Sequence, residues 1–208
     1  MCQAIIALMP PHDTYIESHL GGAIVKRRPP ALLNIGVDLN ERALERFQRA
    51  YPVERVLGCA HRFLADFAYQ GRELVCCDPP YLHSTPSSDR GYPFDYEESD
   101  HLELLGLLKT LPCPVILSGY PSGLYDEQLS GWGSVELQVM NQAGVRTEKL
   151  WFNFRPDRVH WARYAGRNHT HRQTIKRRAE SWARRYARMP PAERLAVLSG
   201  LLAVEAGE

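Results

Sequence analysis

Between residues 14 and 120 the chain switches repeatedly from short apolar runs to amphipathic ones, and no other feature restricts its fold as strongly. TYIESHL (14–20), NIGVDLN (34–40), RVLGCA (55–60), ELVCC (73–77) and CPVILSGY (113–120) read as strands. A Gly-Gly turn and a short helix are expected after the first. ERALERFQRAY (41–51) places Leu44, Phe47 and Tyr51 at helical spacing, and HRFLADFAY (61–69) is a second helix. ESDHLELLGLLKTL (98–111) is a third, with Ser99 or Asp100 as its N-cap. SVELQVMN (134–141) and EKLWFNF (148–154) read as an antiparallel pair joined by a polar loop. This alternation predicts an α/β fold, a doubly wound and mostly parallel sheet with helices on both faces. Right-handed crossovers then leave the carboxyl ends of the strands along one crevice, where ligands bind. With 208 residues the chain suffices for one such domain and an appendage.

Composition changes beyond residue 155, so a catalytic domain is expected over 1–155 and a basic helical extension over 156–208. RQTIKRRAESWARRYARM (172–189) reads as a basic amphipathic helix with Ile175, Ala179, Trp182, Tyr186 and Met189 on one face. Pro190 and Pro191 end it, and Pro191 suits the first turn of a final helix, AERLAVLSGLLAVE. The overall charge of +1 conceals a segregation: residues 1–140 carry a net −7, 141–190 a net +10 and 191–208 a net −2. A basic segment after an acidic body suits a polyanionic partner. Arg172, Lys176, Arg177, Arg184 and Arg185 are the expected phosphate contacts, blind to sequence and strongly salt-dependent. A solvated helix face is the plainer alternative. No run of 18 apolar residues occurs, so neither a membrane span nor a secretory signal is expected. The five cysteines lack CxxC spacing and lie mostly in apolar segments, which predicts reduced thiols and a cytoplasmic protein.

Two places along the crevice carry ligand chemistry. After the first strand, Gly21 and Gly22 have no Cβ and let a cofactor approach the backbone. Asp38 ends the second strand about 20 residues later, where a carboxylate can accept from both hydroxyls of a ribose. A structural turn and a helix cap, shared with Asn40, are the alternatives. Together, in this order, the two features favour a nucleoside-bearing ligand.

The second place is ELVCCDPPYLHST (73–85). Asp78 falls at the carboxyl end of the fourth strand. Pro79 and Pro80 have no N–H, so their carbonyls are free of ladder pairing, and Tyr81 adds a flat ring. A carboxylate and a main-chain carbonyl can accept both protons of an exocyclic NH₂ while the tyrosine stacks on its heterocycle, a contact worth about 1–3 kcal/mol. An amino nitrogen on a purine is a poor nucleophile because its lone pair is delocalised. Hydrogen bonds to Asp78 and the Pro79 carbonyl would free that pair for in-line attack on the methyl of a sulfonium cofactor. The stretch LHSTPSSDRGYPFD (82–95) then forms a loop long enough to cover the site.

These residues resemble the Dam-like, S-adenosylmethionine-dependent N6-adenine DNA methyltransferases, in particular short phage or mobile-element members. The matching pieces are YIESHLGGA (15–23), NIGVDLN, DPPYLHST, YEESDHLELLGLL (96–108), VILSGYPSGLYDE (115–127) and RTEKLWFN (146–153). The resemblance implies a seven-stranded class I methyltransferase (Rossmann-like) sheet and S-adenosylmethionine as cofactor. It implies Glu17, Gly21 and Gly22 near the methionine part, with His19, Leu39 and Cys59 as further cofactor positions, and Asp38 on the ribose. Asp78, Pro79, Pro80 and Tyr81 are implied as the catalytic motif, Asp78 also facing the cofactor. DNA is the implied partner, with RNA as the alternative, and an adenine inside a duplex must be extruded to react.

Four departures stand out. The family's Gly-Gly-Lys segment does not precede the first strand, so part of the cofactor cover is expected to be missing. Glu17-Ser18-His19 stands where the family reads Glu-Pro-Phe. Cys59, with Asp66 further on, stands where an acid often lies near the cofactor adenine. About 55 residues separate the glycines from DPPY, too few for a separate recognition domain, which leaves loop 82–97, loop 141–147 or the basic tail to meet the substrate. Pro112-Cys113 has the form of a cytosine-C5 nucleophile, but Cys113 opens an apolar strand and reads as a core thiol. His160, His169 and His171 lack the carboxylate or thiolate company of a metal site, and no metal is expected. Trp182 and Tyr186 read as the apolar side of the basic helix rather than as stacking partners for bases. An RNA or protein-amide methyltransferase is the alternative enzyme, and a non-catalytic nucleic-acid-binding Rossmann-like module the alternative of another class.

Overall fold

The computed structural model describes residues 2–21, 31–46, 52–82, 96–141, 144–156 and 169–206. The chain divides into two compact units, 1–160 and 161–208. In the first unit the elements follow as α1 (Cys2–Leu8), β1 (Thr14–Glu17), β2 (Leu33–Asp38), α2 (Glu41–Arg46), β3 (Glu54–Leu57), α3 (Ala60–Asp66) and β4 (Glu73–Cys77). They continue as α4 (Glu98–Leu108), β5 (Val115–Gly119), α5 (Gly123–Gln128), β6 (Gly133–Asn141) and β7 (Gly144–Phe152). One sheet of seven strands results, in the order β3-β2-β1-β4-β5-β7-β6. The strands from β3 to β5 are parallel, and β7 runs antiparallel to both β5 and β6.

β4 and β5 lie near the middle of the sheet, and every residue of each is buried. This is why ELVCC and VILSG read as continuous apolar runs instead of alternating ones. Leu64 of α3 and Leu104, Leu105 and Leu108 of α4 pack with Ile16, Val37, Val75 and Leu117 in one core cluster. Each such leucine contributes roughly 1.5–3 kcal/mol by leaving water. Glu73 is 3% exposed yet not orphaned. Its two carboxylate oxygens accept the backbone N–H groups of Gln70 at 2.8 Å and Arg72 at 2.9 Å, across a turn whose Gly71 holds φ +79°.

Gly36 of β2 has a packing reason. A Cβ there would stand 2.6 Å from Cδ1 of Leu20, which is itself fully buried. Gly36→Ala is expected to lower stability by about 1–3 kcal/mol through overpacking. The check is thermal unfolding: an unchanged Tm would mean that Leu20 yields freely. At the other rim of the sheet, the Asn153 side chain accepts from Val115 N–H at 2.8 Å and donates to the Cys113 carbonyl at 3.0 Å. An amide side chain thus supplies a rung of the ladder just past the end of β7.

Several boundaries differ from the expected ones. β1 stops at Glu17 because Ser18 and Leu20 donate instead to Cys76 and Val37, closing the turn over the strand ends. β3 covers 54–57, and Ala60 already belongs to α3. The hairpin is longer than expected, since β7 starts at Gly144 and nine residue pairs join β6 to β7. The N-cap of α4 is Glu97 rather than Ser99 or Asp100, with Asp100 accepting the Glu97 N–H at 2.8 Å. Two helices were not expected at all. α1 buries Ile5 and Ile6, with Met9 after it, and α5 is held to β7 by Asp126, which accepts from Trp151 Nε1 at 2.8 Å and Lys149 Nζ at 2.9 Å. Those two donors, Lys149 first, hold the exposed Asp126 carboxyl below its usual range. The helix expected after the glycines, the second half of the 41–51 helix and loop 83–95 lie outside the described residues.

In the second unit α6 (His169–Arg188) and α7 (Pro191–Ala206) follow one another, with Pro191 opening α7. Among the described residues no helix is long and apolar enough to cross a membrane.

Candidate active site

The carboxyl ends of β1, β2 and β4, with residues just beyond β5, form a cleft of about 560 Å³. From one end to the other it presents Asp38 and Leu39 at the end of β2, Ser18, His19 and Gly21 after β1, Asp78 to Tyr81 after β4, and Tyr120 after β5. Tyr96, Arg146, Asn40 and Ala43 also line it, as do Gly58 and Ala60 on either side of Cys59.

At the β2 end, Asp38 Oδ2 accepts the Gly21 N–H at 3.0 Å and Oδ1 accepts the Asn40 N–H at 2.8 Å. Two main-chain donors therefore fix the carboxylate while each oxygen keeps lone pairs for a ligand. Gly21 has φ +29°, and among the described residues a Cβ there would meet only the His19 carbonyl, at 3.9 Å. Leu39 is 40% exposed beside it. This end fits the ribose of a nucleoside-bearing cofactor: a fixed acceptor pair facing an uncrowded backbone.

At the β4 end, the fully buried Ser118 of β5 donates its hydroxyl to Asp78 Oδ1 at 2.7 Å, and the Tyr81 hydroxyl also hydrogen-bonds this carboxyl. Burial raises the Asp78 pKa above the usual carboxylate value, and the two hydrogen bonds oppose that rise. Burial and the Asp78 charge push the Tyr81 phenol well up, so it stays a donor. The Tyr81 ring meets Tyr120 edge-on, with centroids 4.5 Å apart and planes at 67°, and the Tyr120 hydroxyl accepts from Arg146 at 2.7 Å. Glu148, one register beyond the β5–β7 pairing, is raised by burial and then by Asp78.

Of the residues singled out from sequence, Asp78, Pro79, Pro80, Tyr81, Asp38, Leu39, His19 and Gly21 all line the one cleft. Glu17 and Cys59 do not: Glu17 is 1% exposed inside the sheet, and the Cys59 thiol lies beside His61 at 3.8 Å. Gly22 lies outside the described residues. Cys113 is 6% exposed, and burial followed by Glu73 pushes its thiol up to about 12, the environment of a core thiol and not of a nucleophile. Arg172, Lys176, Arg177, Arg184 and Arg185 all fall on α6, where Lys176 pairs with Glu180 at 3.8 Å and the Arg185 guanidinium lies 5.7 Å from the Trp182 ring centroid. His160 and the side chain of His169 are outside the described residues. Ser118, Tyr96, Tyr120 and Arg146 escaped the sequence reading. Only Ser118 left a trace there, as a hydroxyl in an apolar strand at its carboxyl end.

No family model and no curated protein matches the sequence. Solved structures similar to the chain include TrmK of M. capricolum in complex with S-adenosyl-homocysteine, at 10% identity and TM-score 0.49, covering 99% of this chain and 95% of that one. A SAM-dependent methyltransferase from Agrobacterium tumefaciens has 12% identity and TM-score 0.45 over 74% and 60%. A dimethyladenosine transferase from Plasmodium falciparum has 11% identity and TM-score 0.44 over 73% and 60%. The strand order itself, with its single antiparallel strand between β5 and β6, defines the fold as a Rossmann-like class I methyltransferase sheet.

Proposed function

We propose that the chain transfers a methyl group from S-adenosylmethionine to the exocyclic N6 amino group of adenine in DNA, by direct attack on an extruded base. The observation that carries this is the placement of Asp78-Pro79-Pro80-Tyr81 on the cleft wall at the end of β4, with the acid pinned by Ser118. Asp38, Gly21, Leu39 and His19 would hold the cofactor, which supplies an electrophilic methyl group. Asp78 and the Pro79 carbonyl accept the two amino protons and turn the nitrogen lone pair towards that methyl. Tyr81 supports the base and, through its hydroxyl, the acid. The proton lost from the product nitrogen passes to water, so Asp78 need not receive it.

Positively charged α6 supports a nucleic acid as substrate, and Tyr81 a planar ring. The decisive experiment is incubation with methyl-labelled cofactor and either DNA or RNA, followed by identification of the modified nucleoside. N6-methyladenine in DNA is expected. Label in RNA, in protein or nowhere would overturn the assignment, each outcome pointing to a different alternative.

Ser118 gives a sharper test of the acid's role. Ser118→Ala removes a bond that holds the Asp78 pKa down. The carboxyl should then titrate at higher pH, and because its ionised form is the one that accepts amino protons, the acid limb of the pH–kcat profile should move upward. A fall in kcat of roughly tenfold to a hundredfold is expected. An unmoved acid limb would mean that Asp78 ionisation does not govern the rate.

A further inference from the structure

Among the described residues that line the cleft, Asp38 and Asp78 are the acids and Arg146 is the single arginine or lysine. The register of β7 brings it there. Ser118 of β5 pairs with Leu150 of β7, and the Ser118 hydroxyl reaches Asp78. Side chains two apart on a strand share a face. Tyr120 therefore follows Ser118, and Glu148 and Arg146 follow Leu150, on the side of the sheet that carries Asp78. Arg146 is exposed, and its Nη1 donates to the Tyr120 hydroxyl at 2.7 Å. A guanidinium offers five N–H groups in a planar fork, so most remain for a ligand. No acid pairs with Arg146 among the described residues. Burial, with Asp78 adding to it, raises the neighbouring Glu148 carboxyl and weakens its hold on the guanidinium.

The strand order sets what this cation can meet. Asp38 stands at the end of β2, Asp78 just past β4 and Arg146 on β7, with β1 between the first two and β5 between the last two. In the function proposed above, the methyl donor lies on the β1 side of Asp78. An adenine whose N6 points at that donor turns its six-membered ring towards β1. Its glycosidic N9 belongs to the other ring, at the far end of the bicycle. The sugar and its phosphates therefore leave towards β5 and β7. Two strand spacings, about 10 Å, separate β4 from β7, which is the scale of a sugar with its phosphate.

We propose that Arg146, held by Tyr120, binds a phosphate next to the target nucleotide and so fixes which end of the base enters the pocket beside Tyr81. This rests on the function proposed above. A fork of parallel N–H groups matches phosphate oxygens, and a bidentate contact sets orientation as well as affinity. With a phosphate anchored on β7, the amino end of the base is the end that reaches Asp78. The contact is blind to sequence and distinguishes a nucleotide within a strand from a free base. Arg146 touches the substrate away from the reacting atoms, and Tyr120 acts through it as a positioning residue.

The test uses the full chain, S-adenosylhomocysteine in solution, and single-stranded oligodeoxynucleotides that hold one adenine. One phosphate at a time beside that adenine is replaced by an uncharged methylphosphonate, and binding is read by fluorescence anisotropy, which needs no turnover. In the wild type, one of these replacements should raise Kd about tenfold. Arg146→Ala should raise Kd about tenfold on the unmodified strand and take about 0.7 from the slope of log K against log salt. It should show no further loss at that one methylphosphonate. Equal losses for the wild type and the variant at every position would overturn the proposal, as would an unaltered Kd in Arg146→Ala or no binding of the strand at all. Arg146→Lys should keep the salt slope and recover only part of the affinity, because an ammonium cannot form the fork. Tyr120→Phe keeps the ring against Tyr81 and should cost about threefold in Kd, with a weaker response to the same methylphosphonate. A purely structural role for Arg146 would leave every phosphate equivalent. Turnover with labelled cofactor separates the two readings. If the phosphate coupling is present and no N6-methyladenine forms, the proposed function fails and the phosphate contact stands; methylation without the coupling is the reverse.

Discussion

Asp78→Ala is expected to abolish methyl transfer, with a loss in kcat of at least about a hundred- to a thousandfold, while cofactor affinity changes by no more than a few-fold. The asymmetry follows from placement. In the proposed function the cofactor lies at Asp38 and Gly21, which are bonded to each other without involving β4, whereas Asp78 and the Pro79 carbonyl at the other end are the proposed acceptors. Asp78→Asn should lose less, because an amide oxygen still accepts one amino proton. The same substitution carries a second expectation of opposite sign. Burial raises the Asp78 pKa, so between its unfolded and folded values the native state binds more protons than the unfolded chain. Stability attributable to this group therefore falls as pH rises through that window. Asp78→Asn should raise Tm at pH 7, and the gain should fade as pH drops through the raised folded value towards the ordinary carboxylate range. A variant that is inactive and also less stable at pH 7 would show that the acid is there for folding. Loss of activity with a gain in Tm is the signature of a group kept for chemistry.

The second large effect is expected from α6. Reversing Arg177, Arg178, Arg184 and Arg185 to glutamate should weaken DNA binding by at least about a hundredfold at low salt and flatten its salt dependence. Each lost phosphate contact removes about 0.9 from the slope of log K against log salt on duplex DNA, or about 0.7 on a single strand. The four arginines belong to a helix with only Glu180 as acid, and that residue is spent on Lys176 at 3.8 Å. The exposed Lys176–Glu180 pair stabilises little by itself, so the helix should survive the change. An unaltered slope would mean that these side chains are solvated and that the polyanion meets another surface.

The parts of this fold that could be read in the sequence are those whose signal is local. ELVCC and VILSG are mostly apolar because both faces of a central strand are covered, and that shows in the runs LVCC and VIL. Asp78 and Asp38 were visible because a carboxylate after an apolar strand has few other reasons to be there. What was hidden is contact across distance. Ser118 reaches Asp78 over 40 residues and Tyr96 reaches His19 over 77, with nothing in the local pattern to mark either pairing. α1 is a seven-residue helix that buries Ile5 and Ile6, while α5 is six residues fixed by Tyr125 in the core and by Asp126 bonded to β7. Glu17 illustrates the converse. It sits in the right motif, yet its side chain is enclosed in the sheet, and motif position alone says nothing about which way a side chain goes.

The Asn153 rung has a reach beyond its own rim. By clasping Cys113 and Val115 it sets the starting register of β5, and Ser118 lies three residues further along the same strand. Side chains alternate faces with each residue, so a slip of one position would carry the Ser118 hydroxyl to the far side of the sheet from Asp78. Alignment at the mouth of the cleft is thus fixed from the opposite end of the strand, and substitutions that silence this protein should be found there as well as around the substrate.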